Sequence, residues 1–272
     1  MKKGLFTLGI LLALCSMAFG SGLDAFKGQK GEISIAGGTA HIPVMEKAAR
    51  NVMTANPDIR VSVAGGGSGV GIQKVGEGLV NIGNSGRKAS DAEVAKYGLA
   101  MFAFAVDGVA TIVNPENPVG ALTGDQVRKI FAGEITNWKQ VGGNDASINL
   151  YTRDEASGTR EVYWKKLLKK GTIASAANVV ASNGAMKTAI SRDPDGIGYA
   201  SIGYLDKTVK APSLDGVHPT QAAAKDGSYP VVRKLYMNTK GEPTGIVKAF
   251  VDYIMGPDCV QIIKDSGYIP LH

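Results

Sequence analysis

Disulfide chemistry has almost no material in this sequence, which holds two cysteines, Cys15 and Cys259. Cys15 lies inside residues 5–19, a nearly continuous apolar stretch that follows Met1, Lys2 and Lys3 and runs into Ala18-Phe19-Gly20-Ser21. A basic start, a short apolar run and a small-residue exit describe a secretory signal peptide. Cleavage after Gly20 removes residues 1–20 and leaves Cys259 without an intramolecular partner, so stability rests on the core even in an oxidising compartment. The stretch is shorter than the roughly 20 apolar residues a spanning helix needs, and no stop-transfer charges follow it. Leu14 stands where a lipoprotein cleavage box requires Gly, Ala or Ser, so no lipid anchor at Cys15 is expected.

Histidine is equally sparse. His41, His218 and His272 are far apart and show no metal-ligand spacing, which argues against a zinc site and against a hydrolase triad. Ser68, Ser85 and Ser157 lack the Gly-x-Ser-x-Gly frame of a nucleophile elbow. Residues 65–74 are glycine-rich but are not followed by Gly-Lys-Ser/Thr, so a nucleotide loop is absent, as is the dinucleotide pattern. No metal and no cofactor is therefore expected. The formal charge of +6 falls to +4 without Lys2 and Lys3 and is spread along the chain. There is no basic stripe or aromatic-rich basic motif, which excludes a nucleic-acid partner. Lys165, Lys166, Lys169 and Lys170 have helical spacing and read as one solvated helix face. Internal repeats and low-complexity linkers are missing too.

What the sequence does contain is alternation. Short β-like runs at residues 33–36, 59–64 and 147–152 are each followed by a helical pattern, at 43–54, 70–77 and 159–169. This predicts an α/β fold with mostly parallel sheets. Pro43 suits a first helical position because its missing N–H has no intrahelical partner there. An apolar run at 101–113, broken by Asp107-Gly108, and a β-rich run at 229–236 read as two crossings between lobes. One lobe then comes from both chain ends and the other from the middle.

A local device recurs four times: an apolar strand enters a loop of glycine and small hydroxyl residues, often opening a helix. The loops are Gly37-Gly38-Thr39-Ala40, Gly65-Gly66-Gly67-Ser68-Gly69, Gly83-Asn84-Ser85-Gly86-Arg87 and residues 153–159, Arg153-Asp154-Glu155-Ala156-Ser157-Gly158-Thr159. Glycine admits close backbone approach, and a helix N-terminus presents unpaired N–H donors at its positive end. Gathered at one point, these loops would make a dehydrated cage for a small tetrahedral oxyanion, with Arg153 and Arg87 adding positive charge.

Ala121-Leu122-Thr123-Gly124-Asp125-Gln126, then Ile130-Phe131-Ala132-Gly133-Glu134-Ile135-Thr136-Asn137-Trp138, Gly142-Gly143 and the stretch from Arg153 to Arg160 closely resemble the phosphate-binding proteins of bacterial ABC phosphate transporters. Gly196-Ile197-Gly198-Tyr199 and Gly267-Tyr268-Ile269-Pro270 fit the same family. The resemblance spans nearly the whole mature chain. It implies a two-lobed, type II periplasmic-binding-protein fold with two hinge crossings, dividing as residues 21–107 plus 233–272 and residues 108–232. It also implies a monomeric, non-enzymatic periplasmic protein that binds inorganic phosphate and delivers it to a membrane ABC permease. By position, Thr39, the Ala40 amide, Ser68, Ser85, Arg153, Ser157, Gly158 and Thr159 would hold the anion. The family's usual proton-accepting aspartate is replaced by Gly86, with Arg87 following, as in a branch with Ser-Ser-Arg in this loop. That departure keeps sulfate, phosphonate or another oxyanion open as the ligand, with a phosphate-ester hydrolase as the remaining alternative. Glu155 is expected to pair with Arg153. His41 reads as a helix-start residue, Asn183 as a border of the cleft, Phe131 and Trp138 as packing, and Cys259 as a buried apolar residue.

Overall fold

The computed structural model describes residues 22–272, so the signal-peptide reading lies outside the described residues. In chain order the first part runs β1 (Gly31–Gly37), α1 (Ile42–Ala55), β2 (Ile59–Gly66), α2 (Ser68–Gly76), β3 (Ile82–Ser85), α3 (Asp91–Tyr97) and the long β4 (Leu99–Val113). The middle contributes β5 (Ala121–Leu122), α4 (Gly124–Ala132), β6 (Asn149–Arg153), α5 (Gly158–Lys166), β7 (Asn178–Val180), α6 (Asn183–Arg192), β8 (Gly196–Ser201), β9 (Ser213–Leu214) and α7 (Gln221–Asp226). The chain returns through β10 (Val232–Lys240) and closes with α8 (Gly245–Met255), α9 (Val260–Asp265) and β11 (Ile269–Pro270).

Helix α1 shows why the pattern folds as it does. Val44, Met45, Ala48, Ala49 and Val52 recur at the spacing of one helical face and are buried. The helix stops at Asn56, whose side-chain amide donates to the carbonyls of Phe26 and Gln29. Met45 is fully buried, and trimming such a side chain to alanine costs about 2–5 kcal/mol.

Strand order is β2-β1-β3-β10-β4-β8-β6-β7, with β11 added beside β4. Pairing is parallel at the two flanks and antiparallel at the centre, where β3, β10, β4 and β8 meet. The expected parallel pairing holds at the flanks and gives way at the centre, where β4 and β10 carry the chain between lobes in opposite directions and so make antiparallel ladders. The two lobes share β4. Its residues up to Gly108 pair with β10, and from Val109 onward they pair with β8. The two largest core clusters follow the same division: Phe26, Ile33, Phe104 and Leu235 pack in one, and Val109, Phe131, Tyr199 and Val231 in the other.

The Lys165–Lys170 reading is also revised. α5 ends at Lys166, and Lys169 and Lys170 take left-handed backbone conformations with φ of 53° and 63°, so the four lysines do not share a helix face. Phe131 and Trp138 are buried in the second lobe's core, and Cys259 is buried, its thiol pKa pushed up to about 12 by that burial.

Candidate functional site

The strand-to-helix loops converge where the lobes meet. Gly38, Thr39, Ala40, Gly67, Ser68 and Gly86 from one lobe face Arg153, Ser157, Gly158 and Thr159 from the other, together with Arg233 of β10. They enclose a tight space with no room for an organic ligand, whose pockets run to ~300–1,000 Å³, and its size suits a small ion.

The lobes are closed over this space. The Gly69 amide donates to the Ala156 carbonyl at 3.0 Å, and the Tyr204 hydroxyl donates to the Thr39 carbonyl at 2.7 Å. Glycine is required at the seam. A side chain at Gly158 would collide with Ser68 Oγ, and one at Gly67, where φ is +89°, would lie 2.7 Å from the Ala156 carbonyl.

Each hydroxyl on the cavity wall already accepts a hydrogen bond from the protein. Thr39 Oγ1 accepts from the Asn183 backbone and side-chain amides at 3.3 and 3.0 Å. Ser68 Oγ accepts from the Gly86 amide at 2.9 Å. Ser157, the N-cap of α5, accepts from the Arg160 amide at 3.2 Å, and Thr159 accepts from Arg233 Nη1 at 2.9 Å. A hydroxyl has one hydrogen to give, so all four retain theirs for a ligand. The starts of α2 and α5 add their positive ends. Such a wall is a set of donors without a competing carboxylate among its lining residues.

Positive charge comes from Arg153 and Arg233. Arg153 is buried and donates through Nη2 to the Ala181 carbonyl at 3.0 Å, while Nε and Nη1 have no partner. Burial lowers its pKa, and the nearby Asp154 carboxylate acts in the opposite direction. Glu155 is exposed and makes no bond to Arg153, which corrects the expected pairing: the neighbouring Asp154, not Glu155, is the acid whose charge reaches the guanidinium.

The third loop contributes Gly86 but not the side chains expected of it. Ser85 donates to the Arg87 carbonyl at 2.8 Å and accepts from Asn238 at 2.9 Å, facing away from the cavity. Arg87 points to the rim, where it binds Glu93 through two 2.7 Å hydrogen bonds and pairs with Glu161 of the other lobe at 2.8 Å. Glu93 also caps α3 through the Ser90 amide. These bonds, the Arg87 guanidinium first, lower its pKa to about 2. His41 is buried, with its ring nitrogens 3.1 Å from the carbonyls of Gly38 and Tyr236. Burial, reinforced by the charge of Arg233, lowers its pKa to about 3, so the ring is neutral.

Arg233 was not legible as a site residue. It lies on β10 in register with Asp107 of β4, and Nε donates to Asp107 Oδ2 at 2.8 Å. Asp107 is fully buried and also accepts from the Ser201 hydroxyl at 2.8 Å. A single carboxylate inside the apolar run of residues 101–113 was the available signal, because a buried acid demands a partner.

Two lobes closed on a small, donor-lined cavity at their hinge define a solute-binding protein of the periplasmic-binding class. A model of the PBP superfamily domain matches residues 25–258. The phosphate-binding protein PstS of Bacillus subtilis (strain 168) is 38% identical over 287 aligned positions, covering 100% of this chain and 95% of that protein. PstS of Borreliella burgdorferi is 30% identical, covering 87% and 89%. This chain belongs to the PstS phosphate-binding protein family. Among solved structures, a Clostridium perfringens protein described as a phosphate ABC transporter substrate-binding protein, with bound phosphate, superposes with a TM-score of 0.84 at 33% identity, covering 89% of this chain and 100% of that one. An ABC-type phosphate transport receptor from Vibrio cholerae gives 0.70 at 34% identity, covering 87% and 99%. Among the described residues, no helix is long and apolar enough to cross a membrane and no cluster of acidic, histidine and cysteine side chains could hold a metal ion.

Proposed function

We propose that the protein binds inorganic phosphate outside the cytoplasm, in the periplasm, and delivers it to a membrane ABC permease without chemically altering it. The observation that carries this reading is Arg153, a buried guanidinium with two unpartnered nitrogens at a cavity whose four hydroxyls are all set to donate. An anion supplies the missing partner. Thr39, the Ala40 amide, Ser68, Gly86, Arg153, Ser157, Gly158 and Thr159 form its first contacts, and Ser85 and Arg87 shape the loop and the rim. Residues 21–107 with 233–272 and residues 108–232 move as the two lobes, bending where β4 and β10 cross. The names of the relatives described above support phosphate as cargo. Calorimetric titration of the mature protein should give a Kd of about 1 μM or tighter for phosphate, about 8 kcal/mol. Absence of phosphate binding would remove this reading.

A further inference from the structure

We infer that Arg233 is a second guanidinium that binds the anion, held in position by Asp107. The inference rests on the oxyanion reading above and adds a ligand residue from outside the four loops. Arg233 stands on a hinge strand and is buried, yet its tip reaches the cavity wall between Gly86 and Thr159. Asp107 fixes it from behind: Nε donates to Oδ2 at 2.8 Å, and Nη2 stands 2.8 Å from the same oxygen without a hydrogen-bonding alignment. Ser201 holds the carboxylate in turn. Nη1 gives one hydrogen to Thr159 and has a second to offer.

Gly86 supports this assignment independently. A β-carbon there would lie 2.6 Å from Arg233 Nη1 and 3.0 Å from Cζ. Backbone conformation does not demand glycine at this position, since its φ is outside the left-handed range. The third loop lacks a side chain because the guanidinium occupies that space. Arg153 from the second lobe and Arg233 from the hinge therefore flank the ion from different directions, and a tetrahedral oxyanion has enough oxygens to meet both forks.

Arg233→Gln alone would strand Asp107, so the decisive variant is the neutral pair Asp107→Asn/Arg233→Gln, which keeps shape and removes both charges. Phosphate and sulfate are titrated calorimetrically into wild type, this double variant, Arg233→Lys and Gly86→Ala, with thermal melting of each ligand-free protein. The double variant should bind phosphate about thirtyfold or more weaker, the low end for losing a buried charged partner, with a melting temperature close to wild type. Arg233→Lys should recover part of that loss. Gly86→Ala, which presses on Nη1 but leaves the hinge pair in place, should weaken binding about tenfold. Wild-type affinity in both the double variant and Gly86→Ala overturns the role of Arg233, and should the double variant fail to fold, Gly86→Ala decides alone. If wild type bound sulfate but not phosphate, with the same dependence on Arg233, the phosphate reading would fall and the second guanidinium would stand. Binding of neither anion would overturn both.

Discussion

Thr39 and Asn183 meet across the cleft so that one hydroxyl oxygen accepts two amide hydrogens, 3.3 Å from the backbone nitrogen and 3.0 Å from Nδ2. Both acceptor sites of Thr39 are thereby used, and its hydrogen can go only to a ligand. Replacing Asn183 by Asp reverses the arrangement, because a carboxylate accepts the Thr39 hydrogen and places negative charge near the anion. Asn183→Asp should therefore lower phosphate affinity at least about tenfold more than Asn183→Ala. Equal losses in the two variants, measured by titration calorimetry, would show that donor orientation is not what Asn183 supplies.

Arg153 separates binding from folding. Arg153→Ala should weaken phosphate binding by about 2–5 kcal/mol. The same change removes a buried charge with two unpartnered nitrogens, so the ligand-free protein should melt no lower than wild type. A drop in melting temperature matching the loss of affinity would make Arg153 a structural residue.

Gly158→Ala should penalise the closed form alone. The added methyl would collide with Ser68 Oγ, an atom of the opposite lobe. Overpacking of this kind costs about 1–3 kcal/mol, and a separated pair of lobes escapes it. Affinity should fall about tenfold or more while the ligand-free melting temperature holds. Wild-type affinity in this variant would mean that closure does not bring these two loops together.

His41 should leave a signature in the acid stability of the protein. Its folded pKa is about 3, below the ordinary value of 6.5. Between these values the unfolded chain binds a proton that the folded chain refuses, so stability falls as pH is lowered through that window. The slope is at most about 1.4 kcal/mol per pH unit for one proton. Urea denaturation at pH 5, 6 and 7 should show this slope in wild type and a shallower one in His41→Gln. Identical slopes would place the ring in water or in its charged form.

The parts of the site that could be read from sequence are those encoded locally. Thr39 and Ser68 each follow a strand that ends in glycine, Ser157 and Thr159 sit either side of Gly158 at the start of a helix, and in each case a few adjacent residues determine the geometry. Ser85 and Arg87 have the same local appearance, but Asn238 and Glu161, distant in sequence, turn their side chains elsewhere. Arg233 fails in the opposite sense. Nothing around it on β10 resembles a binding loop, and its role depends on a strand register that sets it opposite Asp107. The fold divides similarly: individual helices and flanking strands follow from periodicity, whereas the antiparallel centre follows from where β4 changes partners, a property of two segments about 125 residues apart.

Arg153 and Arg233 face one dry space, where burial disfavours the Arg153 cation, Asp154 offsets part of that cost, and the charge of Arg233 adds to it. Shutting the lobes on nothing therefore costs electrostatic energy that an arriving anion cancels. A pump that answers to the shut shape would seldom be started by an unloaded carrier.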